Sequence, residues 1–104
     1  ASRRTNERVA ALKQLIGVTD KEVLKRASFL AKRDASSDVR VAALRLLSHS
    51  PKAEYRSIIE YQFKAARVDL RRRIIEELTN EGYVAWSFLY EAMADYVAWL
   101  NAAL

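Results

Sequence analysis

Asn6-Glu-Arg-Val-Ala-Ala-Leu-Lys-Gln-Leu15 recurs 32 residues later as Asp38-Val-Arg-Val-Ala-Ala-Leu-Arg-Leu-Leu47. A looser third copy, Asp69-Leu-Arg-Arg-Arg-Ile-Ile-Glu-Glu-Leu78, follows 31 residues after the second. Arg8, Arg40 and Arg71 hold one place in the three copies, and Leu15, Leu47 and Leu78 hold another. Each copy spaces its apolar residues at helical intervals, so that they share one side of an α-helix. Self-similarity at a period of this size is the mark of stacked supersecondary units, none of which can bury its apolar face alone.

Working outward from the decapeptides, apolar spacing and punctuation predict six helices, over about 6–16, 20–33, 38–48, 51–66, 69–79 and 83–103. Thr5 or Asn6 is placed to cap the first, and Gly17 to stop it. Thr19-Asp20-Lys21-Glu22 has the form of a capping box for the second, whose core face would be Val23, Ala27, Leu30 and Ala31. Ser36-Ser37-Asp38 can accept from the free amides of the third, with Val39, Ala42, Ala43, Leu46 and Leu47 as its stripe. Pro51 suits the first position of the fourth, with Tyr55, Ile58, Ile59, Gln62, Phe63 and Ala66 turned inward. The fifth would bury Leu70, Ile74, Ile75 and Leu78 before Thr79-Asn80-Glu81-Gly82 breaks it. Sustained period-two alternation is missing throughout, so the fold class is all-α. Short connections make consecutive helices antiparallel neighbours. The expected architecture is a single domain over 1–104, a six-helix α-solenoid of three stacked antiparallel hairpins with a period of about 31 residues.

The copy at Asp38–Leu47 resembles the second helix of a HEAT repeat, with an aspartate at the turn, then Val39-Arg40, the Ala42-Ala43 pair and leucines. The resemblance is fair at residues 6–15 and partial at 69–78, where Arg73 and Ile74 stand in the places of Ala42 and Ala43. It implies an α-solenoid that binds macromolecules. It also implies an aspartate–arginine ladder between successive units, here Asp38 and Asp69 with Arg40 and Arg71. The first copy has Asn6 in place of the aspartate.

Composition narrows the function classes. The chain has 104 residues, half of them hydrophobic, with two glycines, one proline and no cysteine. That suits one helical domain with a modest core. Without cysteine there is no disulfide, thiolate zinc site or cysteine nucleophile, and the usage suits a reducing compartment. The basic opening, Ala1-Ser-Arg-Arg, leads straight into an amphipathic pattern rather than a signal peptide, and no 18-residue stretch lacks charge. The expected location is the cytoplasm.

The net charge of +5 conceals a split. All 18 Lys and Arg lie at or before Arg73 against eight acids, a net +10, while residues 74–104 carry five acids and no base. Such a division invites an anionic partner at one end or pairing between copies, although solvated helical surfaces need charge in any case. Arg40, Arg45, Arg71, Arg72 and Arg73 form the densest candidate stripe for an acidic protein or for phosphates. Consecutive arginines on a helix point about 100° apart, so Arg71–Arg73 cannot form one flat patch by themselves. Lys21, Lys25 and Lys32 share one side of the second helix, with Arg26 and Arg33 nearby.

Six of the ten aromatics fall in the sixth segment: Tyr83, Trp86, Phe88, Tyr90, Tyr96 and Trp99. Its large apolar residues span an arc of about 200° on a helical wheel, with Ser87, Glu91, Asp95 and Asn101 and three alanines on the remainder. A terminal helix should be polar outside. Trp86, Tyr90, Tyr96 and Trp99 are therefore candidates for core burial or for anchoring a partner or a second copy. An acidic polar face disfavours a membrane surface.

Catalysis draws little support. His49 is the only histidine and lies near a helix end, and no Gly-rich phosphate loop occurs. Glu91 and Asp95 share a side at i, i+4, a pair too sparse for a metal site. The expectation is a non-enzymatic, macromolecule-binding module without cofactor or metal. Its partner would be another protein, or alternatively nucleic acid held by the basic face of residues 1–73.

Overall fold

Why the chain folds as it does is clearest at its middle, where the second decapeptide becomes the hub. The computed structural model describes residues 3–50 and 52–79, together with positions 94, 98, 101 and 102. Among the described residues there are five α-helices and no strand: α1 (Arg3–Gln14), α2 (Lys21–Arg33), α3 (Ser37–Ser48), α4 (Ala53–Ala65) and α5 (Val68–Thr79). The expected sixth helix, 83–103, lies outside the described residues, except that Ala94, Ala98, Asn101 and Ala102 are helical and exposed.

α3 packs against all four other helices. Val39, Val41, Ala42, Ala43, Leu44, Leu46, Leu47 and Ser48 are consequently buried, nearly all the way round the helix. A single stripe was the expectation; a central helix instead needs apolar residues on every side. α1 and α5 flank α3 in one layer, and α2 and α4 stand side by side against it in a second. α2 and α3 make the most extensive contact, where both helices carry small residues (Ala27, Ser28 and Ala31; Ala42 and Ala43) that let backbones approach. Ser28 satisfies its hydroxyl by donating to the Leu24 carbonyl at 2.9 Å.

Several ends differ from the sequence reading. α1 begins at Arg3, so Thr5 and Asn6 lie inside it rather than capping it. The cap of α2 is Asp20, not Thr19: its Oδ1 accepts from the amides of Glu22 at 2.8 Å and Val23 at 3.2 Å. A carboxylate is favoured there because the first-turn amides have no other acceptor. α4 starts at Ala53, and Pro51 lies outside the described residues. The core face of α2 is rotated by one residue, burying Leu24, Ala27, Ser28 and Ala31 while Val23 and Leu30 are only half-buried. On α4 only Tyr55, Ile59 and Phe63 of the expected set are fully buried, and on α5 Leu70 is half-buried.

The recurring arginine ties helix ends together, and not by the ladder that the HEAT resemblance implies. Arg40 donates to the Asp34 and Ala35 carbonyls at 2.7 and 3.3 Å, and Arg71 to the Phe63 and Lys64 carbonyls at 3.1 and 2.6 Å. Both reach back to carbonyls at or just past the C-terminus of the preceding helix, where acceptors outnumber the amides that can reach them. Arg8 has no such helix end before it within the described residues and crosses to the Asp34 carboxylate at 3.0 and 3.2 Å. Acid–base links between α3 and α5 run instead from Asp38 to Arg73, at 2.5 Å, and from Arg45 to Glu77, at 3.6 Å.

Candidate functional site

Side-chain placement divides the five candidate arginines among different surroundings. Arg45 and Arg73 line a shallow depression of about 190 Å³ across α1, α3 and α5, with Asn6, Lys13, Asp38 and Glu77. Both are matched there by acids, Arg45 with Glu77 at 3.6 Å and Arg73 with Asp38. Arg40 and Arg73 also border a cleft of about 360 Å³ beside the α4–α5 turn, together with Arg67 and Asp69. Arg71 is turned to the end of α4, its guanidinium 5.7 Å from the Phe63 ring centroid. Arg72 stands on the outside of α5, 3.8 Å from Glu76 one turn on. The stripe is thus not one continuous cationic surface: most of its charge faces a carboxylate or a helix end. Trp86, Tyr90, Tyr96 and Trp99 lie outside the described residues.

The clearer basic feature belongs to the lysines. Lys21, Lys25 and Lys32 of α2 and Lys52, at the start of α4, surround an open cleft of about 470 Å³ with Glu22, Glu54, Ser28, Tyr55 and Ile58. Lys52 was not legible as a member, because only the packing of α4 beside α2 brings it to the lysine side of α2. Burial, with the Glu54 carboxylate next to it, raises the pKa of the Tyr55 hydroxyl above its ordinary value.

A third surface is apolar. Although the sequence predicts α1 and α2 as a hairpin, α1 barely touches α2 and packs on α3 instead. Between them lies an open groove of about 420 Å³, lined by Ala11, Leu12, Leu15, Val23, Ala27 and Leu30, with Arg8, Glu22 and Arg26 at its edges. Arg26 lies 5.6 Å from the ring centroid of the exposed Phe29. The sequence did carry a signal for this groove. Ala11 and Leu15 occupy the places of Ala43 and Leu47, which are both fully buried, whereas Ala11 is exposed and Leu15 half-buried.

Two further titratable groups among the described residues sit at helix ends rather than in these clefts. Burial works against ionisation of Asp34, but the Ser36 amide and Arg8 outweigh it and hold the carboxyl below its usual range. His49, at the end of α3, has its pKa lowered by burial and by the charge of Arg45. Among the described residues there is no group of three or more His, Asp or Glu side chains placed to hold a metal, and no helix long and apolar enough to cross a membrane. By their chemistry the groove suits an apolar helix and the lysine cleft an anion. Comparison with known proteins finds no matching family, no similar curated protein and no similar solved structure.

Proposed function

We propose that the chain is a non-enzymatic, HEAT-like helical-repeat module that binds another protein. The observation that carries this reading is the open apolar groove between α1 and α2. Amphipathic helices dock in grooves of this kind by laying residues at i, i+4 and i+7 against the floor. The repeated decapeptide and the two-layer packing of α1, α3, α5 over α2, α4 support the solenoid part of the reading. A photo-crosslinking amino acid at position 11, used in extract of the native source, tests it. A protein adduct is expected at 11 and none at the exposed position 56; adducts equal at both positions, or none, would refute it.

Nucleic acid is a second reading, and the lysine cleft favours it over the arginine stripe. Four lysines on two adjacent helices could follow a phosphate backbone. Changing Lys21, Lys25, Lys32 and Lys52 to Gln should then abolish a mobility shift with generic DNA or RNA and flatten its salt dependence. Absence of any shift at low salt removes this reading.

A further inference from the structure

The α1/α2 groove has an internal reference, because the same chain shows what the equivalent surface looks like when it is covered. Shifted by 32 residues, Arg8, Ala11, Leu12 and Leu15 become Arg40, Ala43, Leu44 and Leu47, and the bounds of α2 become those of α4. On α3 these positions are covered by α2: Ala43 and Leu47 are 0 % exposed and Leu44 2 %. On α4, with α2 beside it, Tyr55 is 6 % exposed and Ile59 0 %. On α1 and α2 the equivalents of Leu44 and Ile59, Leu12 and Ala27, are buried as well and form the floor, whereas Ala11 is exposed and Leu15 and Val23 are half-buried. Against α1 and beside α2 the groove therefore leaves open the space that α2 fills against α3.

The charge around that space selects its occupant. Arg26 and Glu22 line the groove, Arg8 borders it with its guanidinium held by Asp34, and helical register puts Arg4 one turn before Arg8 and Arg33 one turn beyond Leu30, so the positive rim rests on Arg4, Arg26 and Arg33. Arg4, Arg26 and Arg33 are all exposed. A fitting helix needs small or apolar residues at i, i+4 and i+8 with acids next to them. After Arg73 the chain has no base at all, and its last stretch carries Glu81, Glu91 and Asp95. Ala94, Ala98 and Ala102 form such an i, i+4, i+8 row; all three are helical and exposed, and in the sequence Glu91 and Asp95 share their side of the wheel. The residues lining the groove run from Arg8 to Leu15 on α1 and from Glu22 to Leu30 on α2, about 11–12 Å of helix, and a helical row from 94 to 102 covers about the same length.

We propose that the groove of one molecule takes the Ala94/Ala98/Ala102 row of a second copy, with Glu91 and Asp95 against the arginine rim. The contact is head-to-tail, joining unlike surfaces, so it can propagate into longer chains rather than closing as a symmetric dimer. It rests on the reading of the groove as a protein-binding surface and names the partner.

The chain has no cysteine, so one can be placed at will. Ala11→Cys and Ala98→Cys both alter exposed positions, and far-UV circular dichroism checks that each variant folds. Oxidising an equimolar mixture of the two should give a disulfide dimer at least tenfold faster than either variant alone. In parallel, sedimentation of the unmodified chain should show mass rising with concentration and falling back as salt is raised. Equal rates for mixed and single variants, or a chain monomeric at all concentrations and salts, overturn the proposal. A position-11 adduct to a different protein in extract, with these results negative, would leave the broader reading of the groove intact.

Discussion

Replacing Asp34 by Ala should be the most informative single change, because one carboxylate joins α1 to the turn between α2 and α3. Its Oδ2 accepts from Arg8 Nε at 3.0 Å, and its Oδ1 from Arg8 Nη2 at 3.2 Å and from the Ser36 amide at 2.9 Å. The Asp34 side chain is 7 % exposed, but that of Arg8 is 38 % exposed, so water screens the pair substantially. Losing the hydrogen bond in the turn costs about 1 kcal/mol. The screened two-point ion pair adds about 1 kcal/mol rather than the several kcal/mol of a fully buried one. A total of about 2 kcal/mol lowers Tm by roughly 10 °C for a domain of this size.

The pH dependence supplies the sharper check. Asp34 titrates below its ordinary value of 3.8 in the folded state. A carboxyl depressed on folding contributes stability that is present above its unfolded pKa and is lost as pH falls through the folded one. The gap between wild type and Asp34→Ala should therefore be full at pH 7 and shrink once the pH drops below about 4. Urea unfolding followed by circular dichroism at several pH values measures it, with Arg8→Ala and the double variant completing a cycle. A coupling energy of about 1 kcal/mol is expected. A gap that stays constant on acidification, or a cycle with no coupling, would refute this account of the tie.

Leu47→Ala should cost about 3 kcal/mol, since Leu47 is 0 % exposed within the layer of helices around α3 and little can collapse into the space; chemical denaturation reads it directly. Gly17 has φ +93° with nothing within 4 Å of an added Cβ, so Gly17→Ala should lose about 1 kcal/mol from backbone strain alone. Gly17→Asn should lose less, and equal losses would mean that the strain is not conformational. His49 has its pKa lowered in the folded state, so protonation favours unfolding: wild type should lose stability as pH falls from about 6.5 through the folded pKa. His49→Gln should remove that part of the acid sensitivity in thermal melts between pH 7 and 5.

The order and extent of the described helices were largely legible, because they depend on neighbours three and four residues away. Gly17, the Ser36–Ser37 break and the apolar rows of α4 and α5 all act at that range. Helix caps were less so: Thr19 and Asp20 are both good acceptors, and only the backbone path at the turn selects the aspartate. The arginines of the stripe misled for a different reason. Sequence counts charges, but whether Arg45 meets Glu77, or Arg40 meets a helix end, depends on residues 32 and six positions away that packing brings together.

The apolar period, the absence of strand alternation, the lack of cysteine and the acid-only tail after Arg73 are properties of the sequence itself. From them alone follow an all-helical chain and a strongly uneven charge. Tertiary structure decided which equivalent positions are covered. Ala11 and Ala43 are identical residues in nearly identical decapeptides, yet one is exposed and the other fully buried. The difference is not in their local sequence but in the helix beside them: α2 lies against α3, and nothing among the described residues lies in the same place on α1.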